Sequence, residues 1–353
     1  MARKKGKSGL YIFLFLLLVI ALVSIFVAKP MYESVYKANI KLKGKDEKYI
    51  YLRSHYNFTD VQKYFYREGI MPDTASFGWL ARRMKYRVKP GKYLIKDGMN
   101  NLVLVRLLRQ GESVPVNIAF RNIRFRTQVA GVFGRNLEAD SFRVLQLLED
   151  KKFLDSLGMT ANDPMAYFIS DTYQFKWNTT ARQAIIRMKN EWDKVWTAGR
   201  IADAQRIGLS PEKVMSLAAI VQEETARKDE SPRIAGVYLN RLKKGMKLQA
   251  DPTVKYVVMK ENPAAGAPKR IYYKDLKKDD VYNTYYYKGL PPGPVVAPEE
   301  WAIDAVLDAE EHNFIFFAAK EDFSGYHNFT ASDTEHEKNA KKYREELDRR
   351  QIR

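Results

Sequence analysis

The sequence contains no cysteine, and this absence removes several chemistries at once. Disulfides, thiolate metal sites, cysteine nucleophiles and a lipidated N-terminal cysteine are all excluded. Only four histidines occur and no HExxH pattern is present, so a zinc hydrolase is disfavoured. The phosphate-binding P-loop, the GxGxxG dinucleotide turn and the GxSxG elbow of serine hydrolases are also missing. We therefore expect neither a metal nor a cofactor.

Long apolar runs are equally scarce, because the sequence has a single one, at residues 10–28. Its length just spans a bilayer and exceeds a signal-peptide core, and no small-residue cleavage site follows it. Basic residues precede it at Arg3, Lys4, Lys5 and Lys7, so the positive-inside rule keeps the N-terminus cytoplasmic. We predict a cytoplasmic basic tail at 1–9, a single-pass inner-membrane anchor at 10–28 and an extracytoplasmic body.

Acidic residues are in the minority: 42 Asp and Glu stand against 60 Lys and Arg, a formal charge of +18. Such a surface is attracted to anionic lipid or to an acidic polymer, although it is equally typical of a solvated basic face. A body placed outside the membrane is a poor partner for nucleic acid, which we exclude.

The remaining chain predicts an α+β fold with a small module ahead of a larger domain. Residues 31–115 have the pattern of short strands and helices, and residues 116–353 that of a larger mixed body. In the larger body the aromatic-rich segment Ala166–Phe175 is typical of a core strand, and the glycine- and proline-rich segment Tyr282–Pro294 of a surface loop. Helices are predicted at about 139–149, 180–198, 211–228 and 233–243, at 301–309 and after Thr334, with a strand at 313–319.

One helix, Ser210–Lys228, places a carboxylate in an unusual position. Ser210 is a good N-cap, and the apolar residues that follow recur at helical spacing. Glu224 falls only about 20° from Leu217 on the helical wheel, inside the apolar stripe, while Glu223 lands on the opposite, solvated face. Burial raises the pKa of an acid, as a general acid near neutral pH requires. The alternative is an acid at a helix end that pairs with a nearby Lys or Arg.

The order of several motifs resembles the YceG-like family of endolytic murein transglycosylases. The resemblance spans nearly the whole chain, including the N-terminal apolar run. The motifs are Leu217–Thr225, Val237–Leu242, Leu248–Val254, Tyr282–Tyr285 with Gly289–Gly293, Asp171–Tyr173, Lys89–Tyr93, and His327 with Phe329.

This resemblance implies an enzyme that cuts the β-1,4 bond between N-acetylmuramic acid and N-acetylglucosamine inside nascent peptidoglycan strands. The product carries a 1,6-anhydro end, and the cut terminates glycan elongation. The family's catalytic acid is the second Glu of an E-x-E-T segment, which maps to Glu224. Two departures are Gln222, where many relatives have an acid, and Ser170, where relatives often have Pro. The family also implies a LysM-like module, here 40–115, and peptidoglycan synthases as partners.

A transglycosylase needs only one carboxylate, because the substrate's own C6 hydroxyl is the nucleophile. Glu224 would protonate the glycosidic oxygen and then, as a carboxylate, deprotonate that hydroxyl. Asp251 is the obvious second acid, with a structural or substrate-orienting role, or simply that of a turn-capping residue. We predict further substrate-binding residues that hydrogen-bond or stack on the sugar, each of which has loop fixing or core packing as its alternative: Gln249, Tyr282, Asn283, Thr284, Tyr285 and His327.

Two other function classes stay open at this level. A peptidoglycan hydrolase would use Glu224 together with Asp251 and leave a reducing end. An anchored glycan-binding or scaffold protein would rely on the small module and the basic surface, with no turnover.

Overall fold

The computed structural model describes residues 7–268 and 270–351, so the basic residues Arg3, Lys4 and Lys5 of the predicted tail lie outside the described residues. The described chain is a mixed α+β structure, as predicted. It divides into two compact units: one runs to Val116 and includes Phe175–Asn178, and the other comprises Asn117–Gln174 and the chain from Thr179 onward.

The N-terminal apolar segment is helical throughout. Helix α1 (Lys7–Val23) continues through a π-helical turn (Ser24–Ala28) into α2 (Lys29–Tyr36). Residues 9–36 form the one helix of the described chain that is long and apolar enough to cross a membrane, and none of its most apolar stretch is buried in protein. This helix is consistent with the predicted membrane anchor and is longer than the 10–28 expected.

The first unit beyond this helix is built around one antiparallel strand pair. Its elements are β1 (Glu47–Leu52), α3 (Phe58–Arg67), α4 (Thr74–Arg83), β2 (Gly91–Lys96) and α5 (Asn101–Gln110). The register runs from Glu47 opposite Lys96 to Leu52 opposite Gly91. Alternation along β1 buries Ile50 and Leu52 against the helices, which gives this unit its own apolar core.

The second unit is mainly helical, with two small strand pairs. Its first part contains β3 (Val116–Ala119), α6 (Arg126–Asn136), α7 (Ser141–Glu149), α8 (Lys151–Ser156), β4 (Thr172–Phe175), α9 (Ala181–Val195) and α10 (Ala198–Arg206). Its second part contains α11 (Pro211–Glu224), α12 (Ser231–Lys243), α13 (Asp251–Glu261), α14 (Glu300–Leu307), β5 (Phe316–Ala319), β6 (His327–Thr330) and α15 (Asp333–Arg349). Strand β3 pairs with β4, and β5 pairs antiparallel with β6.

Helix α11 is the centre of the second unit. All eight residues from Val214 to Val221 are buried, because α12, α13 and α14 pack around it. The helix is therefore enclosed, and the expectation of an amphipathic helix with one solvated face is wrong.

Several predicted elements differ in the structure. The aromatic segment is a 3₁₀ turn (Pro164–Tyr167) followed by the short strand β4, because Pro164 and the Asp163 cap favour the turn. The helix expected at 180–198 is two helices, α9 and α10, since Thr197 caps a new one. The segment 282–294 has no helix, as expected, but residues 282–284 are buried.

Candidate active site

The carboxyl of Glu224 stands at the end of the enclosed helix. Ser210 begins α11 by accepting the amide of Lys213 at 3.4 Å, as its N-cap pattern predicts. The helix ends at Glu224 because Thr225 is extended, four residues earlier than expected. Glu224 itself is partly exposed, whereas the residues from Val214 to Val221 before it are buried.

The direct partner of this carboxyl is a tyrosine of the neighbouring helix. Tyr238, on α12, donates its hydroxyl to Oε1 of Glu224 at 2.5 Å and is itself 1% exposed. Its ring meets Phe317 of β5 edge to face, with centroids 5.8 Å apart. A buried phenol held by ring packing fixes the orientation of the carboxyl without supplying a charge.

This environment raises the pKa of Glu224 to about 7. Burial is the main cause, and the negative charge of Asp251 adds to it. The hydrogen bond from Tyr238 and the positive charges of Lys255 and Arg241 act in the opposite direction. Glu224 is therefore able to hold a proton near neutral pH and also to release it.

The adjacent carboxylate, Glu223, has a different partner. Its Oε2 lies 2.7 Å from Nη2 of Arg124, whose Nη1 donates to the carbonyl of Val295 at 3.1 Å. The Glu223 side chain is 22% exposed, so the expectation of a solvated face is wrong. The helix-end acid that pairs with an arginine is Glu223, and Glu224 forms no ion pair among the described residues.

Asp251 is brought to the same site as the first residue of α13. It is exposed, and it accepts the hydroxyl of Tyr285 at 2.7 Å. Burial and this hydrogen bond raise the pKa of Tyr285, so the phenol remains a donor. Two of the predicted residues, exposed Asp251 and half-buried Tyr285, thus form one hydrogen-bonded pair, and the negative charge of Asp251 reaches Glu224.

The loop before α13 is held by Thr284. The backbone carbonyl of Thr284 accepts the amide of Gln249 at 3.1 Å, and its hydroxyl accepts the amide of Ala250 at 3.0 Å. Asn283 is 0% exposed and donates to the carbonyls of Leu276 and Lys278. Thr284 and Asn283 are buried and use their polar groups within the chain, so they position the loop and do not face a ligand.

Tyr282 is also part of the scaffold. Its ring centroid lies 4.5 Å from that of Tyr256, and its hydroxyl donates to Oδ2 of Asp163 at 2.5 Å. A Cβ on Gly293 would lie 2.6 Å from the Asp163 side chain, so glycine is required for this close approach. With only 6% of Tyr282 exposed, its ring packs in the core and offers no open face to a sugar.

His327 begins β6 and pairs with a buried acid. Its Nδ1 lies 2.7 Å from Oε2 of Glu230, whose Oε1 accepts the His327 amide at 3.0 Å. The imidazole meets Phe317 edge to face at 5.2 Å, and Phe317 in turn contacts Tyr238. His327 therefore lies one aromatic ring away from the partner of Glu224.

Sequence reasoning missed Tyr238, Arg241 and Lys255, which act directly on Glu224. The only indication in the sequence was that Tyr238 and Arg241 belong to the motif Val237–Leu242, which lies on α12. The motif does not show where their side chains point. Within residues 7–268 and 270–351, no group of three or more His, Asp or Glu side chains is placed to hold a metal ion.

Comparison with known proteins bears on the same residues. The profile of the YceG-like family matches residues 50–342. The chain is 29% identical over 269 residues to the endolytic murein transglycosylase of Bacillus subtilis strain 168, with 72% of each chain covered. It is 23% identical over 292 residues to the protein of the same name from Streptococcus pneumoniae D39, covering 74% of this chain and 52% of that one. The chain thus spans about half the length of the pneumococcal relative.

A solved structure shares the fold. The crystal structure of a YceG-like protein from Listeria monocytogenes superposes with a TM-score of 0.56 at 24% identity. It covers 84% of this chain and 99% of its own.

Proposed function

Because the chain belongs to the YceG-like family, we propose that it is a lytic transglycosylase that cleaves peptidoglycan within its glycan strands. Its relatives in B. subtilis and S. pneumoniae carry the name endolytic murein transglycosylase. The proposal rests on the Glu224 carboxyl. Its pKa is raised to about 7, and its orientation is fixed by an uncharged donor, the Tyr238 hydroxyl.

Glu224 acts first as the acid. Its Oε1 is occupied by Tyr238, and Oε2 has no hydrogen-bond partner among the described residues. The proton of the acid passes to the glycosidic oxygen, and the bond from that oxygen to C1 of the muramyl residue breaks. The leaving N-acetylglucosamine departs with a hydroxyl.

Glu224 then acts as the base. The C6 hydroxyl of the same muramyl residue attacks C1, and Glu224 takes its proton, so the 1,6-anhydro ring forms and the carboxyl is restored. No water is consumed. A pKa of about 7 suits both halves of this cycle, since neither protonation state is strongly disfavoured at neutral pH.

Three exposed or half-buried residues near Glu224 complete the substrate site. Asp251 and Tyr285 orient the sugar as one hydrogen-bonded pair. Gln249, which is exposed two residues before Asp251, hydrogen-bonds a hydroxyl or acetamido group. His327 and the buried residues Tyr282, Asn283 and Thr284 act on the site by positioning, not by contact.

The remaining assignments follow from the family resemblance and the element order. The segment 40–115 is a LysM-like module, a reading supported by two antiparallel strands that enclose two helices. The 116–353 segment is the catalytic domain. The N-terminal helix is a single-pass inner-membrane anchor that keeps the catalytic domain outside the cytoplasm, next to newly made strands and the peptidoglycan synthases.

Mass analysis of products from isolated glycan strands tests the reaction. A transglycosylase yields 1,6-anhydromuramic ends, which are lighter by one water than the reducing ends that a hydrolase yields. Reducing ends would replace the proposal with a hydrolase that uses Glu224 and Asp251. If the full-length protein does not cleave the strands, the remaining interpretation is an anchored glycan-binding protein.

A further inference from the structure

A cavity of about 780 Å³ lies beside the Glu224 site, under the last helix, α15. It is lined by Arg241 of α12, Gln249 of the loop before α13, Phe316 of β5 and residues of α15, most of which are exposed. Its volume is that of a typical ligand site. None of the steps proposed for Glu224 uses α15, so the cavity has no role so far.

The charged residues of the cavity are predominantly basic. Its four cations exceed its two carboxylates by two charges: they are Arg241, Lys338, Lys341 and Arg344 against Asp333 and Glu337. Lys338 and Lys341 have only exposed carboxylate neighbours, at 3.8 and 3.6 Å, and such pairs leave most of the charge available. Arg344 has no ion pair among the described residues, so the lining favours an anionic group.

Arg241 supplies a buried donor at the floor of the cavity. It is 7% exposed, its Nε donates to the carbonyl of Ile315 and its Nη1 to that of Leu248, both at 2.6 Å. Among the hydrogen bonds of the described residues, its Nη2 takes part in none. A guanidinium fixed at two nitrogens, with the third unpaired and the side chain in the lining of a cavity, is a preorganised site for a carboxylate.

The backbone at Gln249 supplies a second, independent sign of a site. Gln249 has a φ of 48°, a left-handed conformation that a non-glycine residue rarely adopts because it is strained. The conformation is held from both sides, by Arg241 on the Leu248 carbonyl and by Thr284 on the Gln249 and Ala250 amides. The result is an exposed amide side chain in the lining of the cavity.

We propose that this cavity is a subsite for the carboxylate-bearing substituent of a muramyl residue next to the cleaved bond. The inference rests on the proposed transglycosylase function and adds the part of the substrate that is read. A muramyl residue carries a lactyl group, which is either a free carboxylate or linked to a peptide that has carboxylates of its own. Either source presents the same anion to Arg241, Lys338 and Arg344, whereas the neighbouring N-acetylglucosamine presents none.

The position of the cavity agrees with this assignment. Arg241 lines the cavity and lies three residues after Tyr238 on α12, so the two side chains project from the same side of the helix, and Tyr238 is hydrogen-bonded to Glu224 at 2.5 Å. Gln249 lies in the same lining and two residues before Asp251, whose charge reaches Glu224. A substituent of the sugar at Glu224 is therefore within reach of the cavity.

Binding to the full-length Glu224→Gln protein, in detergent, tests the subsite without turnover. Four probes are titrated by calorimetry. They are a disaccharide with a free lactyl carboxylate, a disaccharide that carries its stem peptide, the same peptide-bearing disaccharide with its carboxylates amidated, and a chito-oligosaccharide. We expect at least one carboxylate probe to bind more tightly than the last two. Adding Lys338→Gln or Arg344→Gln weakens that probe by about two- to fivefold each, and the effect shrinks at high salt. If the first probe binds tightly, the bound anion is the lactyl carboxylate. If only the second probe binds tightly, the bound anion is a carboxylate of the peptide.

The matched control is Lys342→Gln, which removes the same charge from an exposed position of α15 outside the lining. It should leave every dissociation constant unchanged. The subsite is wrong if Lys342→Gln weakens binding as much as Arg344→Gln, or if the amidated peptide and the chito-oligosaccharide bind as tightly as the carboxylate probes. Binding is measured separately from cleavage. The subsite can therefore be tested even if the cleavage assay contradicts the role proposed for Glu224.

Discussion

The two sides of the last turn of α11 hold adjacent carboxylates in opposite ways. On one side Glu223 meets the guanidinium of Arg124 at 2.7 Å, and on the other Glu224 meets the phenol of Tyr238 at 2.5 Å. A cation stabilises the charged form of a carboxylate, whereas an uncharged donor in a buried site leaves desolvation to dominate. The pKa of Glu224 is raised to about 7.

The difference teaches that burial raises the pKa of a carboxyl where no ion pair opposes it: Glu224 has an uncharged donor as its partner, whereas Glu223 is paired with Arg124. Both side chains are partly exposed, and both follow eight consecutive buried residues. Neighbouring carboxylates in unlike environments are a recurring way to obtain an acid and a structural anion from the same chemistry. Four substitutions test this comparison, from the largest expected effect to the smallest.

Glu224→Gln should have the largest effect. The amide preserves shape and can still accept the Tyr238 hydroxyl, but it neither gives nor takes a proton. We expect cleavage of isolated glycan strands to fall by about 10³-fold or more, with the melting temperature little changed. Wild-type rates in this variant would remove Glu224 from the chemistry and end the comparison.

Tyr238→Phe should reduce the rate by about tenfold, because the carboxyl loses a hydrogen bond and its fixed orientation. It also has a sign. The Tyr238 hydroxyl lowers the pKa of Glu224, so its removal raises that pKa. Since the protonated acid is required first, the rate loss that begins near pH 7 should move to higher pH. A pH–rate profile displaced to lower pH, or not displaced, would show that Tyr238 is only structural.

Much of this arrangement was predictable from local signals, and the decisive part was not. Capping and spacing predicted the start of α11 at Ser210, which the structure confirms, and the same spacing placed Glu224 beside the apolar residues of the helix. The enclosed character of α11 did not, because its burial comes from three helices distant in sequence. The end of the helix was placed too late, at Lys228, since extended Thr225 accepts the amide of Arg227 and turns the chain.

Long-range partners explain the remaining misses. Strand β6 was not predicted, because it is defined by pairing with β5, with His327 opposite Ala319 and Thr330 opposite Phe316. Tyr238 lies 14 residues beyond Glu224, and only the packing of α12 against α11 brings the two together. Asn283 and Thr284 were predicted to face the sugar, but polar residues of a loop are as easily used to bind its own backbone.

Asp251→Asn distinguishes the two enzymatic readings and has a smaller effect on a transglycosylase. The amide oxygen can still accept the Tyr285 hydroxyl, so the change removes only the charge. That charge raises the pKa of Glu224, hence its loss should move the alkaline rate limb to lower pH, opposite to Tyr238→Phe. At pH 6 the rate should change by less than about threefold, whereas a hydrolase with Asp251 as its second carboxylate would lose about 10²-fold or more.

Glu223→Gln should have the smallest effect on catalysis and is the matched control for Glu224→Gln, one residue earlier in the same turn. It leaves Arg124 with the Val295 carbonyl as its remaining partner, in a side chain that is 11% exposed. We expect the free energy of unfolding to fall by about 1 kcal/mol, because a partly buried guanidinium loses its counter-charge. Cleavage of glycan strands at neutral pH should stay within about twofold of wild type, as the Tyr238 side of α11 is untouched. Chemical denaturation measures the free energy of unfolding, and the same cleavage assay measures the activity.

An activity loss as deep as that of Glu224→Gln would mean that the ion pair between Glu223 and Arg124 takes part in the chemistry. The division of roles between the two carboxylates would then be wrong.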